Sequence, residues 1–420
     1  MPLEGLRGLA AVSVVFYHYL VLVFPAMYYG PTAVQHARFE DNLYGSPFMS
    51  LVSGSFAVST FFVLSGFVLA IGYFQSKDMS IIKRLATRRY VRLMVPAFVS
   101  IIIAWALIII GLSHVEQAYV VTQSAALNLG WVQNTSFLKA IYEGSLGIFT
   151  SGSVFNYNSV LWTMKYEFLG SFIVFASVVL FGKSKYRFLI YFILMAALIN
   201  TWFIGFIIGM LIADLYANKA HILEKIQPQY TVVMVAVAIF LGGFPWVGSE
   251  NTIYRYLQIP GFDTLQNQAV WGAIGASLLI IAIFRNGVLQ RLLSHPAMVK
   301  IGSYTYSMYL VHQPIIYTLG MALFVFVVSS ASYTLSVAIV GLLLTPVIML
   351  ATVIFHKYVE IPSIRLSSTF DKLVNNEIKL KNIFTWSYKE FWKMFVSVLS
   401  IIFLTKATAY ELSDKNETPS

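Results

Sequence analysis

The strongest constraint on this chain is the recurrence of apolar runs of roughly twenty residues, each the length that crosses a bilayer. The stretch 54–74 contains no charged residue, and neither does 334–356. A hydrocarbon layer about 30 Å thick offers no partner for backbone N–H and C=O groups, so such runs cross it as helices. Ten segments are expected to do so, near 6–25, 52–74, 92–112, 159–181, 187–201, 203–217, 230–247, 269–285, 301–328 and 334–356. The fifth and sixth are short and nearly contiguous around Asn200-Thr-Trp202, as a hairpin or a broken helix would be. Hydrophobic residues make up 58% of the chain and charged residues 11%, a balance that a soluble core does not require. The expected fold is an all-α integral membrane protein, a bundle of about ten transmembrane helices.

The net charge of +10 does not point to nucleic acid, because the basic residues gather between apolar runs. The loop 75–92 carries Lys77, Lys83, Arg84, Arg88, Arg89 and Arg92, and further basic connections lie at 183–187, 219–225 and 285–300. The alternate loops, near 26–51, 113–158 and 243–268, hold few. Ten spans with every second loop basic place both termini on the cytoplasmic side. The sequence divides into a membrane domain, 1–366, and an extension, 367–420. In the extension, Asp371 to Lys381 is charged, and the aromatic and lysine-rich stretch 386–395 leads into a short apolar run, 396–404. That run suits a helix lying in the interface, with an eleventh span as the alternative. Residues 411–420 read as disordered. There is no cysteine, so thiolate chemistry and disulfides are excluded, and no spacing suggests a metal site.

Four stretches carry candidate chemistry. Arg7 and His18 are eleven residues apart, almost three turns, so they share a face of the first helix about 16 Å apart along its axis. His18 then lies deep in the hydrocarbon layer, where an ionisable group marks either a functional site or a hydrogen-bonded packing residue. A neutral imidazole suits a general base, and an arginine suits a phosphate or carboxylate. Arg88, Arg89 and Arg92 form a cluster by i, i+3 and i, i+4 spacing, able to grip a pyrophosphate or simply to anchor the helix. Trp162 and Glu167 open the fourth span. Glu167 has three readings: orienting His18, binding an acceptor, or pairing with a basic residue for structure alone. Thr305, Tyr309 and His312 form a polar stripe in the ninth span, either packing or substrate-binding.

In chain order these stretches resemble the membrane-bound acyltransferase-3 family, which includes polysaccharide and O-antigen O-acetylases. The likeness rests on Leu3-Glu-Gly-Leu-Arg7-Gly-Leu-Ala-Ala with His18, Phe61-Phe-Val-Leu-Ser65-Gly66-Phe, Arg89-x-x-Arg92, and Leu161-Trp162-Thr-Met-x-x-Glu167. It continues through Phe206-Ile-Ile-Gly209, Tyr304-Thr-Tyr-Ser-Met-Tyr-Leu-x-His312-x-Pro314 and Glu360-Ile-Pro362-Ser-Ile-Arg365, covering about 3–366. Glu4, Thr163 and Met164 depart from the usual aspartate, serine and leucine.

The resemblance implies transfer of an acyl group, most often acetyl, from cytoplasmic acyl-CoA to a hydroxyl of an exported or cell-surface saccharide, in a bacterial inner membrane. His18, Arg7 and Glu167 would then be catalytic, Arg88, Arg89 and Arg92 would hold acetyl-CoA, and Trp162, Tyr309 and His312 would meet the acceptor. The partners are acyl-CoA, a saccharide or glycoconjugate, and the bilayer. A multi-span transporter or flippase is the competing class, since buried Arg, His and Glu also mark substrate paths.

Overall fold

The computed structural model describes residues 2–127, 131, 135–150 and 156–375. The interfacial helix or eleventh span expected at 386–404, and the disorder expected at 411–420, lie outside the described residues.

All ten apolar segments are helical: α1 (Pro2–Val23), α2 (Gly54–Ser76), α3 (Met79–Ile109), α4 (Thr163–Phe181), α5 (Arg187–Ala197), α6 (Ile204–Asn218), α7 (Tyr230–Gly242), α8 (Thr264–Arg285), α9 (Thr305–Val328) and α10 (Tyr333–Phe355). No strand occurs among the described residues. Seven helices are long and apolar enough to cross a membrane, α4 counted with the 3-10 turn Ser159–Trp162 before it. The other three, α5, α6 and α7, have 11, 15 and 13 residues. α3 has 31 residues, about 46 Å of helix, so its arginine-bearing start extends past a 30 Å layer. Asp78 caps that start, accepting from the Ser80 amide at 2.8 Å, and this bond with the Ser80 hydroxyl holds its carboxyl below the usual range. A π turn, His356–Glu360, carries α10 into α11 (Ile361–Val374), which continues through position 366.

The Asn200 break is a hairpin. Arg187 opens α5 and is held at 2.5 Å by Asp214 near the end of α6, so the two helices run antiparallel. Asp214 is fully buried and also accepts from Tyr191 and Asn218. That saturation is what makes a buried carboxylate tolerable.

Between helices in lipid there is little hydrophobic drive, so close contact depends on small residues. α2 and α6 cross backbone to backbone: a Cβ on Gly66 would fall 2.1 Å from the Phe206 carbonyl oxygen, and one on Gly209 2.0 Å from that of Val63. Two apolar cores result. One joins α1, α3, α9 and α10 through Val14, Ile101, Leu310 and Phe355; the other joins α2, α4, α6 and α8 through Phe62, Phe175, Phe206 and Ile280. Trp162 packs against both, and the cavities of interest lie along this seam.

Candidate active site

Two cavities meet at the seam, with Val58 and Tyr309 lining both. Tyr309 is fixed there by its hydroxyl, which bonds Thr163 Oγ1 at 2.8 Å and the Val160 carbonyl.

The first cavity, about 290 Å³, is lined by Arg7, Ser65, Arg88, Arg89, Arg92, Glu167, Tyr306 and Glu360 among others. Arg89 Nη2 lies 2.5 Å from Glu167 Oε1, and Ser65 Oγ donates to the same oxygen at 2.7 Å. Arg88 donates to Asp371 of α11 at 2.7 and 3.0 Å, and Thr87 bonds that carboxylate too. Arg7 reaches Glu4, one turn back on its own helix, at 3.2 Å. Glu360 accepts from Ser307 at 2.5 Å and sits 2.9 Å from His356 Nδ1. Arg92 makes no hydrogen bond among the described residues, and the buried Nε of Arg89 has no acceptor. These open donors in a cavity ringed by guanidinium groups fit a polyanion: the buried Arg89 Nε is costly until an acceptor arrives, and the exposed Arg92 guanidinium is free to meet one.

The second cavity, about 440 Å³, is lined by Tyr17, Tyr29, Trp162, Tyr166, Trp202, Trp246, Tyr309 and Tyr317, together with His18, Lys165, Ser55, Ser159 and Gln313. Trp162 meets Tyr166 and Trp202 edge to face at 5.8 and 5.4 Å, an arrangement that fixes all three rings. Gln313 is held by Ser159. Among the described residues no carboxylate lines this cavity. His18 is half buried in its wall, with Nδ1 2.9 Å from the Val14 carbonyl and 3.1 Å from Nε2 of His312.

The geometry sorts the residues singled out from the sequence. It gathers Arg7, Arg88, Arg89, Arg92 and Glu167 around one cavity, and His18 and Trp162 around the other, with Tyr309 between. Arg7 and His18 share a helix but open into different cavities. Of the three readings of Glu167, the ion pair is the one present: its partner is Arg89, and it neither touches His18 nor lines the aromatic cavity. Charge compensation explains this, since an arginine one helix away relieves a buried carboxylate better than a neutral imidazole. His312 lines neither cavity. It is fully buried behind His18, so the expected contact with the acceptor is not one that either cavity lining offers. Arg88 faces Asp371 as well as its cluster.

The sequence reading assigned no role to Ser65, Lys165, Gln313 or Glu360. Glu360 could have been flagged as a carboxylate ending a long apolar run. Ser65 and Gln313 are ordinary polar residues whose partners lie 102 and 154 positions away, so nothing local marks them.

Residues 3–356 match the acyltransferase-3 family model, described as an acyltransferase domain. The chain is 24% identical to the O-acetyltransferase PaAT-1 of Phomopsis amygdali, over 89% of this chain and 85% of that protein. No solved structure matches. With the match running from α1 through α10, the chain belongs to the membrane-bound acyltransferase-3 family and is an acyltransferase.

Proposed function

We propose that the protein is an O-acyltransferase that moves an acetyl group from cytoplasmic acetyl-CoA to a hydroxyl of a saccharide acceptor. It would do so across a ten-span bundle with both termini cytoplasmic. The observation that carries this reading is the adjoining pair of cavities, one ringed by arginines with open donors and the other walled by aromatic rings around His18. The arginine cavity would then lie on the cytoplasmic side, where CoA is available; the basic residues of the loop that holds it support this orientation. Arg92, Arg89 and Arg7 would hold its phosphates, with Arg88 contributing as far as Asp371 allows. The acyl-bearing arm would run past Val58 and Tyr309. Aromatic faces such as Trp162 suit the C–H faces of a sugar ring, with Gln313, Lys165 and the serines offering hydrogen bonds to hydroxyls.

In this reading His18 is the general base. Its Nε2 takes the proton of the acceptor hydroxyl as that oxygen attacks the thioester carbonyl carbon. The C–S bond breaks, the C–O ester bond forms, and Nε2–H returns the proton to the departing sulfur. General-base assistance of this kind contributes roughly 10²- to 10⁴-fold. Glu167 serves by holding Arg89 rather than by touching the reacting atoms.

The test is transfer of radioactive acetyl from acetyl-CoA in inverted membrane vesicles. Two acceptor pools should be compared, endogenous or added saccharide and apolar alcohols, for wild type and His18→Ala. Label entering the saccharide only with wild type supports the reading. Label entering only apolar alcohols overturns the acceptor assignment, and equal transfer by His18→Ala overturns the base assignment.

A further inference from the structure

His312 is fully buried and lines neither cavity, yet among the described residues it is the side chain that hydrogen-bonds the imidazole of His18, against which Tyr17 also packs edge to face. Its Nδ1 lies 3.0 Å from the carbonyl of Met308, one turn back in α9. A carbonyl only accepts, so Nδ1 carries the hydrogen and Nε2 of neutral His312 is a bare lone pair. The same reasoning applies to His18, whose Nδ1 faces the Val14 carbonyl at 2.9 Å and must donate. His18 Nδ1–H is therefore shared between that carbonyl and His312 Nε2. The remaining nitrogen, His18 Nε2, makes no hydrogen bond among the described residues, and the His18 side chain is part of the wall of the aromatic cavity.

We infer that His312 is a positioning residue for acyl transfer, taking the place that a carboxylate holds behind the histidine of a Ser-His-Asp triad. The inference rests on the reading of His18 as the base. His312 holds the His18 ring with Nε2 toward the acceptor. It also offers its own lone pair to Nδ1–H when Nε2 takes up the acceptor's proton, so the positive charge is spread over two rings. No net proton moves to His312: the proton gained by His18 Nε2 goes on to the sulfur as the C–S bond breaks. The nearby carboxylates are engaged elsewhere, Glu167 with Arg89 and Ser65, and Glu360 with His356 and Ser307. Among the described residues no Asp or Glu hydrogen-bonds either ring. An acidic partner would place a full negative charge at this depth, whereas a second neutral imidazole avoids that cost.

The test uses full-length protein in membranes, with kcat and KM measured for acetyl-CoA and acceptor in wild type, His312→Ala, His312→Gln and His18→Ala. Glutamine extends its terminal amide oxygen to about the place of imidazole Nε2 and accepts from His18 Nδ1. His312→Ala is expected to lower kcat roughly 10- to 100-fold with both KM values nearly unchanged, the usual size for an outer-shell partner. His312→Gln should recover most of that loss. In ¹⁵N-histidine solid-state NMR, the single Nδ1–H tautomer of His18 should persist in His312→Gln and become mixed in His312→Ala. Undiminished kcat in His312→Ala overturns the inference. So does a glutamine variant that binds acetyl-CoA normally but is as slow as alanine. If His18→Ala keeps full activity, the general-base reading itself falls; if only His312→Ala does, this inference alone falls.

Discussion

The two cavities share a wall and little else. The first is built from charge: four arginines with two glutamates, of which Arg89 and Glu167 pair with each other while Arg7 and Arg88 pair with Glu4 and Asp371 outside the lining, and open donors remain at Arg92 and Arg89 Nε. The second is built from rings, with one lysine, one histidine, a few hydroxyls and an amide, and no carboxylate among the described residues. Guanidinium groups gathered before a ligand arrives repel one another, and Glu167, Asp371, Glu360 and Glu4 offset that repulsion. A ligand with several negative charges then finds the remaining donors in place. In the aromatic cavity the walls supply shape and van der Waals contact, and a small number of polar groups, His18 among them, are set into an otherwise ring-lined surface. On the proposed reading, function is divided between a site that captures by charge and a site that reacts by proton transfer.

Mutation can break this division, and the largest effect is expected at His18. His18→Ala should lower transfer by roughly 10²- to 10⁴-fold, while acetyl-CoA binding measured by equilibrium dialysis stays at the wild-type value. Loss of donor binding in this variant would merge the two cavities into one function.

Next comes a contrast inside the arginine cavity. Arg92→Ala removes a side chain with no hydrogen-bonding partner, so KM for acetyl-CoA should rise about tenfold or more, the worth of a charge-assisted bond, with thermal stability unchanged. Arg89→Ala weakens the donor similarly but also strands Glu167, costing about 3–5 kcal/mol of stability. Adding Glu167→Gln should restore stability without restoring affinity. Thermal unfolding in detergent beside donor titration separates the two.

On the aromatic side, Trp162→Ala should raise KM for the acceptor by roughly three- to tenfold, the range for one aromatic contact, and leave acetyl-CoA kinetics alone. The smallest effect is expected from Asp371→Asn. It frees Arg88, a pair one-third exposed on the arginine side but only 4% on the carboxylate side, and should cost about 1–2 kcal/mol of stability, less than Arg89→Ala. Donor affinity in that variant should hold or rise slightly as Arg88 becomes available.

How much of this was legible beforehand follows the physics of each feature. Helix existence was, because a run such as 54–74 has to satisfy its backbone internally. The arginine cluster and His18 were legible because charge in an apolar run is costly. Pairing was not. Arg89–Glu167, Arg88–Asp371 and His18–His312 join residues 78, 283 and 294 positions apart. Helical spacing orders the face of one helix and says nothing about which helix lies opposite. The 16 Å between Arg7 and His18 was readable from rise per residue; that the interval holds two cavities separated at Val58 and Tyr309 required the packing of α2 and α9.

The division is tested most directly by a cryo-EM structure with CoA bound. The phosphates should lie in the first cavity within hydrogen-bond distance of Arg92 and Arg89, with the sulfur end at the Val58–Tyr309 wall on the side facing His18. CoA phosphates in the aromatic cavity, or a sulfur end directed away from that wall, would contradict it.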